Sequence, residues 1–291
     1  MSGVAAPNTG PAARYVDLHA HSTASDGSKA PAAVVSAAHA AGLTAIALTD
    51  HDTMAGVDEA VEAGRRLGLR VVPGVELSAM NADKEVHLLG LHIDRPGAID
   101  DALRTFRHSR LERAEQMIAK LNAIGVPLSL QSVLEQAAGG AVGRPHLARA
   151  LIEEGWARDS RDAFDRYLGA GRPAYVPKLR LSVAEAISLV HEGGGLAVLA
   201  HPGPDGRRDL IERYVSWGLD GLEVRHPGHN GEDIARLGAL TEFFRLVPSG
   251  GSDWHGATDG TRVLGAMQIP ASWLDAQDAR LASCRATGRV A

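Results

Sequence analysis

The sequence predicts an α/β fold built on a parallel, barrel-like sheet, and three observations carry that prediction. Seven short apolar runs read as strands: Tyr15–His19, Ala45–Thr49, Arg70–Glu76, Val86–His92, Leu196–Ala200, Gly221–Val224 and Leu246–Ser249. They alternate with helical patterns, the arrangement that implies parallel pairing. Almost every run is followed by histidine or a carboxylate, so a parallel barrel would bring those groups to one rim.

Taken in order, the elements have local reasons. Pro31 suits the first turn of a helix that runs through Ala41, and Gly42 ends it. Asp52 or Thr53 is placed to cap the next helix, which carries Val57, Ala60, Val61 and Leu67 on one face. The rhythm then breaks between Arg95 and Lys178. Leu111, Ala114, Met117, Leu121 and Ile124 recur there at helical spacing, with further helical patterns at Leu147–Ala157 and Arg161–Leu168. This predicts four segments: a disordered tail over 1–13, a barrel over 14–95 and 179–291, and an all-helical lid over 96–178. Loops and inserts beside a barrel rim are where substrate pockets are built.

The chain has 291 residues, 45% of them hydrophobic and only 4% aromatic, which predicts an aliphatic core. A net charge of −5 argues against binding nucleic acid over a broad basic surface, while leaving room for a short nucleotide in a local basic pocket. One cysteine, Cys284, excludes an intramolecular disulfide and a thiolate metal cluster, and fits a reducing cytoplasm. No run approaches the roughly 18 apolar residues of a membrane span. The Gly/Ala/Pro-rich start lacks the basic and apolar regions of a secretion signal.

The chemistry lies in the motifs at the strand ends. Asp17-Leu18-His19-Ala20-His21 places two imidazoles two residues apart, so both point to one side of an extended segment as a chelating pair. Asp26 follows in a loop, and Thr49-Asp50-His51-Asp52 puts three ionisable groups in a row after a buried strand. Asp17 and Asp50 are candidates to orient imidazoles from behind, and Asp52 reads as a cap. Glu76 ends a strand where a charge needs a partner or a metal. His87 and His92 lie on an apolar strand, where a lone histidine is more often a satisfied core residue. Pro202 fixes His201 at its strand end, and Asp253 and His255 repeat the two-residue spacing in a Gly-rich turn.

This motif set resembles the PHP family, the polymerase and histidinol phosphatase superfamily, from Tyr15 onward. The resemblance implies a distorted seven-stranded β/α barrel carrying two or three divalent ions, Mn, Fe or Zn. One ion would be held by His19, His21, Glu76 and Asp253, and a second by Asp26, His51 and His255. A third would take His87, His201 and a bridging Glu76. The Ser25-Asp26-Gly27 motif and the helical insertion resemble the stand-alone branch, the 3′,5′-nucleoside bisphosphate phosphatases, some of which also trim 5′-phosphorylated short RNA. The chain is too short for a polymerase module.

Phosphate ester hydrolysis then needs no protein nucleophile, because a hydroxide bridging two metals would attack phosphorus. A second substrate phosphate needs cations. Arg144, in Gly143-Arg144-Pro145-His146 at a helix start, is the first candidate, with His146 joining it or capping the turn. Lys178 is the next, and among Arg225, His226 and His229 after the sixth strand, His229 reads as the substrate contact. His39, His108 and His191 fall on helices away from the rim. Expected partners are a small nucleotide or short RNA and no membrane. Three other readings stand beside this one: a histidinol-phosphate-type metabolite phosphatase, a non-catalytic metal-binding partner module, and a metal-dependent C–N hydrolase. The last typically has a carboxylated lysine bridge, and no strand here ends in lysine.

Overall fold

A computed structural model describes residues 14–137, 142–177 and 181–290. Its strands are β1 (Tyr15–Asp17), β2 (Ala45–Leu48), β3 (Arg70–Asn81), β4 (Lys84–Leu91), β5 (Leu181–Ser182), β6 (Leu196–Leu199), β7 (Gly221–Arg225), β8 (Val247–Gly250) and β9 (Ile269–Pro270). All seven apolar runs are strands; β5 and β9, two residues each, bring the described total to nine where the sequence predicted seven. The order is β8-β7-β6-β4-β3-β2-β1-β9, with β5 beside β3. Leu18 N–H donates to the Gly250 carbonyl at 3.1 Å, so β1 and β8 meet and the barrel-shaped sheet is nearly closed.

The sheet is not wholly parallel. Two residues, Ala82 and Asp83, separate β3 from β4, too few for a crossover, so the pair folds as an antiparallel hairpin. β4 is antiparallel to β6 as well, whereas β1–β2–β3 and β6–β7–β8 pair in parallel. The reversal has a functional result. His87 stands near the start of its strand, and because β4 runs backwards that start lies at the rim where its neighbours end.

Helices α1 (Pro31–Ala40) and α2 (Val57–Leu67) cover β1 to β3. The insertion contains α3 (Pro96–Ala123), α4 (Leu130–Ala137), α5 (Arg144–Glu153) and α6 (Ser160–Ala163), which runs into a π-helical turn over Phe164–Leu168. Then come α7 (Val183–Glu192), α8 (Arg208–Ser216), α9 (Gly231–Phe244) and α10 (Ala271–Ala286). The cap expected at Asp52 or Thr53 is absent: α2 starts after Gly56 with no side-chain cap, and Asp52 instead accepts the Ser78 N–H at 2.9 Å.

Alternation divides the core. Val16, Ala45, Ala47, Val72, Leu89, Leu91 and Val198 form one buried cluster that meets no helix but α10, which places it inside the barrel. Their neighbours Ile46, Leu48, Leu88 and Leu199 face outward, onto α1, α2, α7 and α8. The insertion keeps a core of its own, with Met117, Leu121, Val133, Leu151 and Leu168 among its buried residues and no sheet residue. No helix among the described residues is long and apolar enough to cross a membrane.

Candidate metal centre

Backbone pairing brings the motifs together. Ala20, between His19 and His21, bridges to Trp254, and His51 bridges to Glu76, both in parallel. At Gly251 a Cβ would sit 2.5 Å from the His19 backbone nitrogen, so only glycine allows the end of β8 to lie this close to the His19 segment. His201 and Asp253 have φ of 28° and 51°, a region that costs non-glycine residues energy and that collects at functional positions.

Glu76 is the hub. Its buried carboxylate lies within hydrogen-bonding distance of five imidazoles. Oε2 is 3.2 Å from both His19 Nε2 and His21 Nε2, and 3.3 Å from His51 Nδ1. Oε1 is 2.9 Å from His87 Nδ1 and from His201 Nε2. Asp253 Oδ1 adds a second carboxylate 3.2 Å from His21 Nε2 and 3.5 Å from His19 Nε2. Asp26 stands on the outer side, 3.2 Å from His255 Nε2 and 3.7 Å from His21 Nδ1. His19 and His21 are fully buried and Asp26 is 57% exposed, so the cluster has a dry floor and an open mouth.

The electrostatics follow from this crowding. Burial alone would raise Glu76, but His19 and the other imidazoles hold it well below the carboxylate range. Asp26 is held at about 2, chiefly by its hydrogen bond with His255. Burial would lower His87, yet Glu76 and Glu85 raise it to about 9. Burial likewise favours neutral Asp253, and contacts with His21 and His226 outweigh it and lower the group.

Several donors face one another in ways that protons satisfy poorly. His19 Nε2 and His21 Nε2 are 3.1 Å apart, and His87 Nδ1 and His201 Nε2 are 3.3 Å apart. His21 Nδ1 is buried with no hydrogen-bond partner. Three sets of side chains could each surround a cation: His19, His21, Glu76 and Asp253; His21, Asp26, His51 and His255; and His51, Glu76 and His87. Neutral imidazoles and carboxylates without thiolate are a donor set that suits divalent ions.

Asp17 and Asp50 do not orient imidazoles as the sequence suggested. Asp17 accepts the Ser252 and Gly265 N–H groups at 2.9 and 3.1 Å, and burial raises its pKa despite them. Asp50 accepts the Ser22 N–H and Ser25 hydroxyl at 2.7 and 2.6 Å. Both therefore shape the loops that carry the cluster. The carboxylate behind the imidazoles is Glu223 in β7, fully buried, 3.0 Å from His19 Nδ1 and accepting the His201 N–H at 2.6 Å. Its one mark in the sequence is a charged residue inside the apolar run Gly-Leu-Glu-Val. Arg262 pairs with Asp253 from a loop with no periodic pattern to mark it.

The remaining candidates divide. His226 is the histidine that meets the cluster, with Nε2 3.4 Å from Asp253 Oδ2. His229, expected to contact substrate, has both ring nitrogens engaged with backbone, at the Gly203 N–H (3.1 Å) and the Val224 carbonyl (2.9 Å). Arg144 opens α5, with its guanidinium 5.4 and 5.9 Å from the Phe164 and Tyr175 rings, and among the described residues no carboxylate pairs with it. His146 caps that helix, accepting the Gly143 N–H at 3.0 Å. Lys178 lies outside the described residues. His92 meets Gln277 at 3.2 Å, His191 meets Asp220 at 2.7 Å, and His39 is exposed on α1. His108 falls within α3.

The PHP domain matches residues 17–170 of this chain, which takes in His19, His21, Asp26, His51, Glu76 and His87. The chain belongs to the PHP domain family. A 5′-3′ exoribonuclease of Haemophilus influenzae is 37% identical over 82% of this PHP chain and 89% of its own length. A 3′,5′-nucleoside bisphosphate phosphatase of Chromobacterium violaceum is also 37% identical, over 86% and 90%. Among solved structures, a candidate metal-dependent phosphoesterase of Bifidobacterium adolescentis superposes with a TM-score of 0.73 at 34% identity, covering 93% of this chain and 98% of that one.

Proposed function

We propose that this protein, a metal-dependent phosphoester hydrolase, releases phosphate from nucleoside 3′,5′-bisphosphates and trims short 5′-phosphorylated RNA from its 5′ end. The observation that carries the reading is the convergence of five imidazoles and Asp253 about the buried Glu76 carboxylate. The two relatives named for these substrates match nearly the whole chain.

We assign His19, His21, Glu76 and Asp253 to one ion, Asp26, His51 and His255 to a second, and His87, His201 and Glu76 to a third, with Mn, Fe or Zn suited to these donors. Bound ions would supply the Lewis acidity that makes water nucleophilic near neutral pH and the positive charge that offsets the phosphoryl oxygens. The protein's part is placement. Glu223 fixes the His19 ring and the His201 backbone, and Asp17 and Asp50 fix the loops that present Asp253 and Asp26. Arg144, spread over two aromatic faces and paired with no carboxylate among the described residues, would take the substrate's second phosphate, with Lys178 as its companion. Residues 96–178 form the lid in this reading, and the barrel is the distorted seven-stranded PHP barrel with two short accessory strands.

The test gives Mn²⁺-loaded protein three substrates, and follows phosphate release from adenosine 3′,5′-bisphosphate and histidinol phosphate and nucleoside 5′-monophosphate release from a 5′-phosphorylated RNA trimer. Preference for the bisphosphate with stepwise trimming of the trimer supports the assignment. Preference for histidinol phosphate would replace it.

A further inference from the structure

A cleft of about 290 Å³ opens beside the cluster, with His87 and His201 in its wall. The cleft therefore adjoins the histidines assigned above to the third ion. Val86, Leu199 and Leu210 give its lining an aliphatic part, beside the polar Asn81 and Glu85. Lys84 and Arg207 stand at its edge. Asp205 there is paired with Lys84, and Glu85 lies 3.7 Å from His87 Nε2. Arg207 is 72% exposed, and its Nε lies 3.6 Å from the similarly exposed Asp209. The volume is at the small end of ligand pockets, which start at roughly 300 Å³, and so suits one nucleoside.

The two proposed substrates differ at this position. In a 3′,5′-bisphosphate the phosphorus under attack carries only oxygens beyond its 3′-ester bond. In RNA the same phosphorus also carries the 5′-oxygen of the next nucleotide. In both, water oxygen bonds to phosphorus and the P–O3′ bond breaks. One water proton passes to the departing 3′-oxygen, and the second is released from the new phosphate. For RNA the products are a nucleoside 5′-monophosphate and a shortened chain that again begins with a 5′-phosphate. Repeated trimming thus needs a subsite that the bisphosphate never uses.

We propose that this cleft is that subsite and receives the first nucleoside downstream of the scissile phosphate, an inference that rests on cleavage at a 3′-oxygen as proposed above. The aliphatic part of the lining takes the base face without reading its edge, so trimming shows little base preference there. The exposed Arg207 meets the next phosphate of the chain.

The experiment fills the cleft from two different elements, with Leu210→Trp on α8 and, separately, Asn81→Trp at the end of β3. Turnover of adenosine 3′,5′-bisphosphate and of a 5′-phosphorylated RNA trimer is measured for each. Binding of a trimer with a phosphorothioate at its first linkage is followed by fluorescence anisotropy. The expected result is a drop of about tenfold or more in kcat/KM for the trimer relative to the bisphosphate, carried by KM and matched by weaker binding. Retained bisphosphate turnover certifies that the variant is folded. An unchanged ratio in both variants, with trimer binding intact, would overturn the assignment. Wild-type protein that trims RNA but leaves the bisphosphate intact would instead remove the functional reading beneath it, and the inference with it.

Discussion

Glu223→Gln isolates the role of the carboxylate behind the cluster. Glu223 is fully buried, and its two oxygens serve different donors, the His19 ring at 3.0 Å and the His201 N–H at 2.6 Å. Burial would raise its pKa, but the His19 imidazole beside it keeps it below the usual range, so it is charged. Glutamine has the same shape with one acceptor. Whichever way the amide turns, an NH₂ faces either the His201 N–H or the His19 ring nitrogen. One charge-assisted hydrogen bond is lost, at about 1.5–3 kcal/mol. Altering a partner behind a metal ligand weakens metal binding by about 10–100-fold, or ~1.4–2.7 kcal/mol, so the two routes agree. The assay is turnover of the bisphosphate against buffered free Mn²⁺. Half-saturation should move up by about one to two decades, with turnover at saturating metal recovering to within a few-fold of wild type. An unmoved metal curve, or a loss of turnover that metal does not rescue, would refute the positioning argument.

Other outcomes follow from the same geometry. Asp253→Ala removes a carboxylate 3.2 Å from His21 Nε2 and should abolish turnover and lower metal content; near-normal rates would remove Asp253 from the centre. Arg144→Ala should raise KM for a bisphosphate by roughly 10–150-fold, the equivalent of one charged hydrogen bond, and far less for a monophosphate. Equal effects on both substrates would take the second phosphate elsewhere. Gly251→Ala forces a Cβ to within 2.5 Å of His19 and should cost about 1–3 kcal/mol in urea melts; an unshifted midpoint would show that the seam between β1 and β8 is looser than described. Burial lowers the pKa of His92, so below the unfolded value of ~6.5 the unfolded chain takes up a proton that folded His92 resists. Stability is full above ~6.5 and falls as pH drops toward the depressed folded value, by up to ~1.4 kcal/mol per pH unit. His92→Gln should flatten that slope between pH 7.5 and 5.5, and parallel slopes would contradict the assignment.

The strands that carry the site were legible because buried strands leave continuous apolar runs, and all seven runs are strands. The metal-type clusters were legible for a related reason: His19, His51, His201 and Asp253 each lie at the end of such a run or within four residues after it. What was hidden depends on contacts distant in sequence. Glu223 meets a histidine 204 positions away, so its place in an apolar run marks it as buried but does not name His19 as its partner. The direction of β4 was hidden because the apolar runs end at Glu76 and resume at Val86, and only the extension of both strands to Asn81 and Lys84 shows the two-residue turn of a hairpin. His229 and His226 share one loop, and only the fold decides which of them turns to the backbone and which to Asp253. Asp17 and Asp50 stand where imidazole partners would, but the nearest unpaired donors prove to be loop amides and hydroxyls.

The central claim is that Glu76 joins several ions into one working centre. Metal content per chain, measured by elemental analysis on protein turning over a bisphosphate at its full rate, tests it most directly. Two or three equivalents of a divalent ion, lost together with turnover on chelation and sharply reduced in Glu76→Ala, is the predicted result. Full turnover with less than one equivalent bound, or a Glu76→Ala protein that retains both metal and rate, would contradict it.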